Sequence, residues 1–207
     1  MDSKAYEIGR LLRSGIGGFV AGTKVLQQDA PRFGALVKAP LGEDFIYGVI
    51  HEINVDDDGL VRQLVTSDSV DASVIEDNRV NRNVPMEMSV LAVGYSQGVA
   101  IKHLLPPRAP LSLDVIWQCS DAEIVDFTST GHFGYLRHLL RNPDLPVGEL
   151  IAAHVQQADA AHKAEGEADW SQRASQELIT LLRDDYQVLM QVLGALGDAL
   201  PELGLEQ

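Results

Sequence analysis

Between Gly17 and Val55 the chain is a succession of short β-branched and aromatic runs cut by glycine and proline, and that punctuation leaves few folds open. Phe33 to Val55 reads FGALVKAPLGEDFIYGVIHEINV, in which Leu36-Val37, Phe45-Ile46-Tyr47 and Val49-Ile50 are separated by Pro40, Gly42 and Gly48. Runs this short and this rich in strand-forming side chains read as strand, turn and strand. Upstream, Ile16-Gly17-Gly18-Phe19-Val20-Ala21-Gly22-Thr23 is another apolar segment punctuated by glycine. Glycine inside a strand marks a sharp bend or a close backbone approach. Repeated bends curl a small sheet onto itself, so the spacing predicts an antiparallel β-barrel, closed or partly closed, with apolar residues inward and polar ones outward.

The flanking segments extend this reading. Residues 5–13 fit a short helix or an edge strand. Asn54 to Gly59 ends in Asp-Gly, a hairpin signal, which makes Leu60 to Val65 the return strand. Residues 66–83 are polar and rich in turn formers, an excursion with one helical turn around Val74-Ile75. Met86 to Val93 and Val99 to Leu105 read as a further hairpin around Gly94 and Gly98. Pro106-Pro107-Arg108-Ala109-Pro110 must be extended, and Leu113 to Cys119 is a last strand. After Asp121 the period changes, with a short helix near His132 to Leu140, a turn at Asn142-Pro143 and helical patterning from Val147. The expected fold is therefore α+β, with a β-barrel domain over residues 1–130 and an α-helical hairpin domain over 131–207.

The order Gly17 to Thr23, Phe33 to Val37, Phe45-Ile46-Tyr47-Gly48-Val49-Ile50 and Leu104-Leu105-Pro106-Pro107 resembles the HAS barrel, the N-terminal β-barrel of HerA-type DNA-translocating ATPases and of ATP synthase subunits. The resemblance covers about residues 15 to 118 and is a pattern of glycines and strands. It implies an assembly collar without chemistry of its own. This sequence departs from those families in carrying no ATPase domain among its residues.

A net charge of −14, divided evenly between residues 1–130 and 131–207, argues against direct nucleic-acid binding, which calls for a basic footprint. Local positive charge is confined to Arg79 with Arg82, and Lys102-His103 with Arg108. No long apolar run or signal-peptide pattern occurs, and Cys119 is the single cysteine, so a cytoplasmic protein with no membrane span is expected. Cys119 itself reads as a small packed residue.

Four segments imitate functional motifs. Gly17 to Lys24 has P-loop glycine spacing, but Thr23-Lys24 reverses the required order and no phosphate-receiving helix follows. Gly94-Tyr95-Ser96-Gln97-Gly98 matches a nucleophile elbow. Partners in the right chain order exist in Asp114, Asp121 or Asp126 and His132, His138 or His154, so a serine esterase using Ser96 is the alternative reading. Against it, Pro106-Pro107 leaves no room for the helix an elbow must open. Asn54 to Gly59 resembles half a calcium loop, but Val65 stands where the bidentate glutamate belongs. The six histidines, His51, His103, His132, His138, His154 and His162, show no HExxH spacing. His154, Ala158 and His162 share one helix face, with the two imidazoles two turns apart. No catalytic residue, cofactor or metal is expected.

The helical half carries the last signal. Val147 to Glu165 has Leu150, Ile151, Val155 and Ala158 at helical spacing, with Gly166 as a stop and a second helix from near Ser171. Ile179, Leu182, Tyr186, Leu189, Leu193, Leu196 and Leu200 then alternate steps of three and four, a heptad seam. Leu178, Leu181, Val188 and Val192 add a second apolar flank. The 147–165 helix is expected to fold back antiparallel over part of the seam, and the remaining flank to pair with another subunit in a homo-oligomer. Every catalytic imitation lacks a named element, so the sequence reads as a non-catalytic assembly or adaptor module whose protein partner, by the HerA resemblance an ATPase or nuclease, carries the chemistry.

Overall fold

The computed structural model describes residues 5–23, 31–56, 59–67, 69–80, 85–142 and 144–204. Its N-terminal half is an antiparallel barrel of β1 (Tyr6–Ser14), β2 (Gly18–Thr23), β3 (Leu36–Leu41), β4 (Asp44–Asn54), β5 (Met86–Gln97) and β7 (Val115–Gln118), with the short β6 (Ala100–Lys102) added to β5. The strand order is β2-β1-β7-β3-β4-β5, and β5 returns to β2 to close the ring. The long β5 makes closure possible. Its first half pairs with β2 from Met86↔Thr23 to Leu91↔Gly18, and its last residues, Tyr95 to Gln97, pair with β6.

Glycines sit where the wall bends. A register shift in the β4–β5 ladder falls at Tyr47/Gly48, where a Cβ on Gly48 would lie 2.4 Å from the Val90 side chain. Side chains fill the lumen, among them Ile8, Leu11, Ile46, Ile50, Met88 and Ile116, all fully buried. Alternation is clean in β2 but lost in β3 and the middle of β4, which are buried on both faces. Helices cover that part of the outer wall.

Those helices are α3 (Asp121–Ser129), α4 (Leu136–Leu140), α5 (Val147–Ala164), α6 (Trp170–Leu181) and α7 (Tyr186–Ala199). Leu36, Tyr47, Val49 and Val93 on the outside of the barrel form one core with Phe127, Tyr135, Leu150, Val155, Trp170, Leu178, Val192 and Leu196. This second core runs across residue 130. Gly34, at φ 81, lets the barrel and α5 touch backbone to backbone, since a Cβ there would lie 2.7 Å from His154 N.

Several expectations need correction. Leu60–Val65 is a helix, α1, and not a return strand: β5 already occupies that edge of β4, with Ile53↔Met88 and Asn54↔Glu87, so non-local pairing displaces the local hairpin. Asp57 and Asp58 lie outside the described residues. The excursion holds a second helix, α2 (Ala72–Val80), opened by Asp71, whose Oδ1 accepts from Ser73 N at 2.9 Å. Residues 5–13 form an interior barrel strand, because β1 is paired on both sides. The strand from Met86 runs through Gly94 to Gln97, and Val99 belongs to the turn. Helix α3, absent from the sequence reading, begins at a capping box in which Ser120 and Glu123 bond each other's backbone N–H. His132 falls in a 3-10 turn (Gly131–Phe133) before α4.

The seam is not one helix. The chain leaves helical geometry at Leu182 and restarts at Asp185, whose carboxylate accepts from Val188 N. Helix α5 does cover α7, but the two run in the same direction: Gly148 lies against Gln191, Gln156 bonds Ala199 O, and Lys163 pairs with Glu202. Helix α6 supplies the return, which an antiparallel two-helix reading leaves out.

Candidate functional site

Ser96 is the residue with the sharpest chemical precedent in the sequence, and its surroundings are those of a β-hairpin. Gly94 is required because a Cβ would lie 2.7 Å from Lys102 O and 2.8 Å from the Phe127 ring. Ser96 is buried, and its Oγ accepts the Phe45 backbone N–H at 2.8 Å, which ties the end of β5 to β4. Gly98, at φ 60, and Val99 form a two-residue turn directly into β6, and Gly98 N donates to Asp44 Oδ1 at 2.7 Å. Positive φ at the first turn residue alone fits a type II′ hairpin. No helix opens at Ser96, since the chain turns straight into β6. Three of the six candidate partners are engaged elsewhere: His154 with Gly34 O and Tyr135 OH, His138 with His103 O, and Asp114 with Leu111 N.

A hydroxyl–imidazole–carboxylate row does exist at other residues. Thr128 Oγ1 lies 2.7 Å from His162 Nε2, and His162 Nδ1 lies 2.9 Å from Glu167 Oε2. Glu167 favours a proton on Nδ1, which leaves Nε2 to accept the threonine O–H, and Ile124 O at 2.7 Å competes for that same proton. Thr128 and His162 are fully buried, and the Trp170 ring stacks on the imidazole at 4.6 Å. Burial pushes the His162 pKa down, with Glu167 opposing it. A hydroxyl sealed in this way meets no substrate. The row instead joins α3, α5 and the turn before α6.

Two similar joints hold the barrel to its helices. His154 is fully buried, with Nδ1 3.0 Å from Gly34 O and Nε2 3.2 Å from Tyr135 OH, and burial lowers its pKa to about 4. Lys38, on the outer face of β3, pairs with Glu123 of α3 and lies over the Phe45 ring. Burial raises the Glu123 pKa, but Lys38 and Ser120 outweigh it and hold the carboxyl below its usual range. Cys119 is fully buried and its thiol pKa is pushed well up by that burial, so it is a packed residue rather than a nucleophile. Nothing in the spacing of Thr128, His162 and Glu167 announces their meeting, because α3 and α5 are brought together only by the shared core.

The surface is more informative than the interior. Leu104, Leu105, Leu111 and Leu113 are 54%, 48%, 73% and 70% exposed in the segment linking β6 to β7. That segment is pinned: Leu113 N donates to Leu11 O, Leu11 N to Asp114 O, Ser14 Oγ to Pro110 O and Arg10 Nη1 to Leu113 O. Leu113 sits at φ 70, a left-handed backbone that costs a leucine about 1 kcal/mol. Of the seam, Leu182, Leu196 and Leu200 are buried within the chain and Leu189 and Leu193 half-buried, whereas Ile179 and Tyr186 are 41% and 72% exposed beside Leu181. A groove of about 1130 Å³ lies along α5 and α7, with Ala152, Val188, Ala195, Ala199, Glu149 and Asp198 among its lining residues.

Among the described residues no group of three or more His, Cys, Asp or Glu side chains could hold a metal, and no helix is long and apolar enough to cross a membrane. The fold and surface define an antiparallel barrel with helices packed on its wall and apolar residues held outward. No protein-family model matches the chain, and no curated protein matches it.

Proposed function

We propose that this chain is a non-catalytic assembly or adaptor module, which associates with further copies of itself and with a protein partner that carries the chemistry. The leucine-bearing loop between β6 and β7 carries this reading. An exposed apolar side chain held outward by a hydrogen-bonded loop, at a strained φ, gains when another surface covers it. Ile179 and Tyr186, the exposed members of the heptad seam, offer a second apolar surface at the α6–α7 junction together with Leu181 of the neighbouring flank. The resemblance to the HAS barrel supports the same role, since in HerA-type ATPases and ATP synthases the barrel is an assembly collar. By that resemblance the partner is a DNA-processing ATPase or nuclease. The net charge of −14 favours a protein partner over direct contact with nucleic acid, and one buried thiol suits the reducing cytoplasm.

Light scattering across micromolar concentrations tests the self-association. The wild type should be oligomeric, and Leu111→Glu with Leu113→Glu should shift it to monomer with an unchanged thermal transition. A wild type that stays monomeric overturns the homo-oligomer. Hydrolysis of p-nitrophenyl esters that is abolished by Ser96→Ala would overturn the non-catalytic reading and restore the esterase.

A further inference from the structure

The groove along α5 and α7 gives the adaptor reading, on which this inference rests, a second surface of defined chemistry. Gly148 brings the two helices together, since a Cβ there would lie 3.0 Å from Gln191 O and 3.7 Å from Ala195 Cβ. Beside that contact the lining is small, with Ala152, Ala195 and Ala199 where larger side chains would fill the depression. Its charged lining is mostly acidic. Glu149, Asp185 and Asp198 line it, with Arg141 as the one cation among the lining residues. Asp185 is committed to capping α7, but Glu149 and Asp198 enter none of the ion pairs among the described residues. Glu202 and Glu167, by contrast, are paired, with Lys163 and Arg173.

We propose that the groove receives an amphipathic helix of another protein, with small apolar residues toward the alanines and lysine or arginine opposite Glu149 and Asp198. A helix laid into an apolar groove is anchored by one face and selected by the charges at its margins. A second copy of this chain does not supply such a helix. Of its helices of nine residues or more, α2, α3, α5 and α7 are net negative and α6 is neutral.

The test is fluorescence anisotropy on the full chain. The probe is a labelled helical peptide about four turns long, with alanine and leucine on one face and lysine on the other. Its counterpart with glutamate in place of lysine is the control. The lysine peptide should bind and the glutamate peptide should not. Glu149→Lys with Asp198→Lys should weaken binding about tenfold or more. Gln156→Trp and, separately, Gln191→Trp cover the groove from exposed positions without changing charge, and each should weaken binding by a similar factor while the thermal transition stays in place. Binding unchanged in both tryptophan variants would mean attraction to the acidic surface at large and would overturn the proposal, as would no binding at all. Light scattering on the same samples separates this from the assembly reading. A chain that self-associates but ignores the peptide loses only the groove, and a monomeric chain that binds it through the groove loses only self-association.

Discussion

Leu113 places a β-barrel loop in a conformation that glycine adopts freely, and its side chain stands in solvent. Leu113→Gly should therefore leave the fold as stable or up to about 1 kcal/mol more stable in urea unfolding, while weakening self-association. Loss of both stability and association would mean that Leu113 packs in the monomer. His154 makes the opposite kind of statement, because it is buried without a charge partner. Its folded pKa of about 4 lies below the value of about 6.5 expected in the unfolded chain. At neutral pH the group is uncharged in both states. As pH falls through 6.5 the unfolded chain takes up a proton that the folded chain refuses until near 4, so stability drops across that window by about 3 kcal/mol. His103, His138 and His162 are shifted the same way and add to the slope. His154→Asn should be less stable near neutral pH yet lose less on acidification, as measured by urea midpoints from neutral to mildly acidic pH. An identical slope in the variant would show that His154 is protonated in the native state.

At the scale of elements, the joint between the barrel and α5 is a backbone contact at Gly34. Gly34 and Gly166 both have positive φ, at 81 and 91, but a Cβ on Gly34 would strike the backbone of Ala153 and His154, while around Gly166 there is open space. Gly34→Ala should then cost about 3 kcal/mol or more, combining the strained φ with overpacking, and Gly166→Ala only about 1 kcal/mol. Equal losses in thermal or urea unfolding would show that α5 can move off the barrel. The Gly166 stop is legible in the sequence, since a glycine at the end of an apolar period has one common use. The role of Gly34 is not, because its neighbour in space lies some 120 residues further along the chain. The same limit explains Leu60–Val65. Local Asp-Gly chemistry favours a hairpin, and only the distant β5 decides that the edge of β4 is already taken. Helix α3, by contrast, carries a local signal in its capping box of Ser120 and Glu123, which the sequence reading does not use.

For the whole molecule, the closed antiparallel barrel was legible because glycine-cut β-branched runs admit little else, and the helical half because the apolar period changes after Asp121. What periodicity does not show is that the two halves share an interior. Side chains on the outer barrel wall, Leu36, Tyr47, Val49 and Val93, are buried only because α3 to α7 cover them, and the row of Thr128, His162 and Glu167 bridges residues on both sides of position 130. The lumen core is complete without the helices, so a chain of residues 1–130 retains the means to form a barrel. It would also expose a contiguous apolar wall, and surfaces of that kind drive association or loose packing. Residues 1–130 alone should therefore bind a hydrophobic dye such as ANS, keep strand content by far-UV circular dichroism and aggregate at concentrations where the full chain does not. The full chain should unfold in one transition, with tryptophan fluorescence, which reports Trp117 in β7 and Trp170 in α6, coinciding with circular dichroism. A soluble 1–130 fragment that ignores the dye, together with two separated transitions in the full chain, would show instead that barrel and helices are independent units.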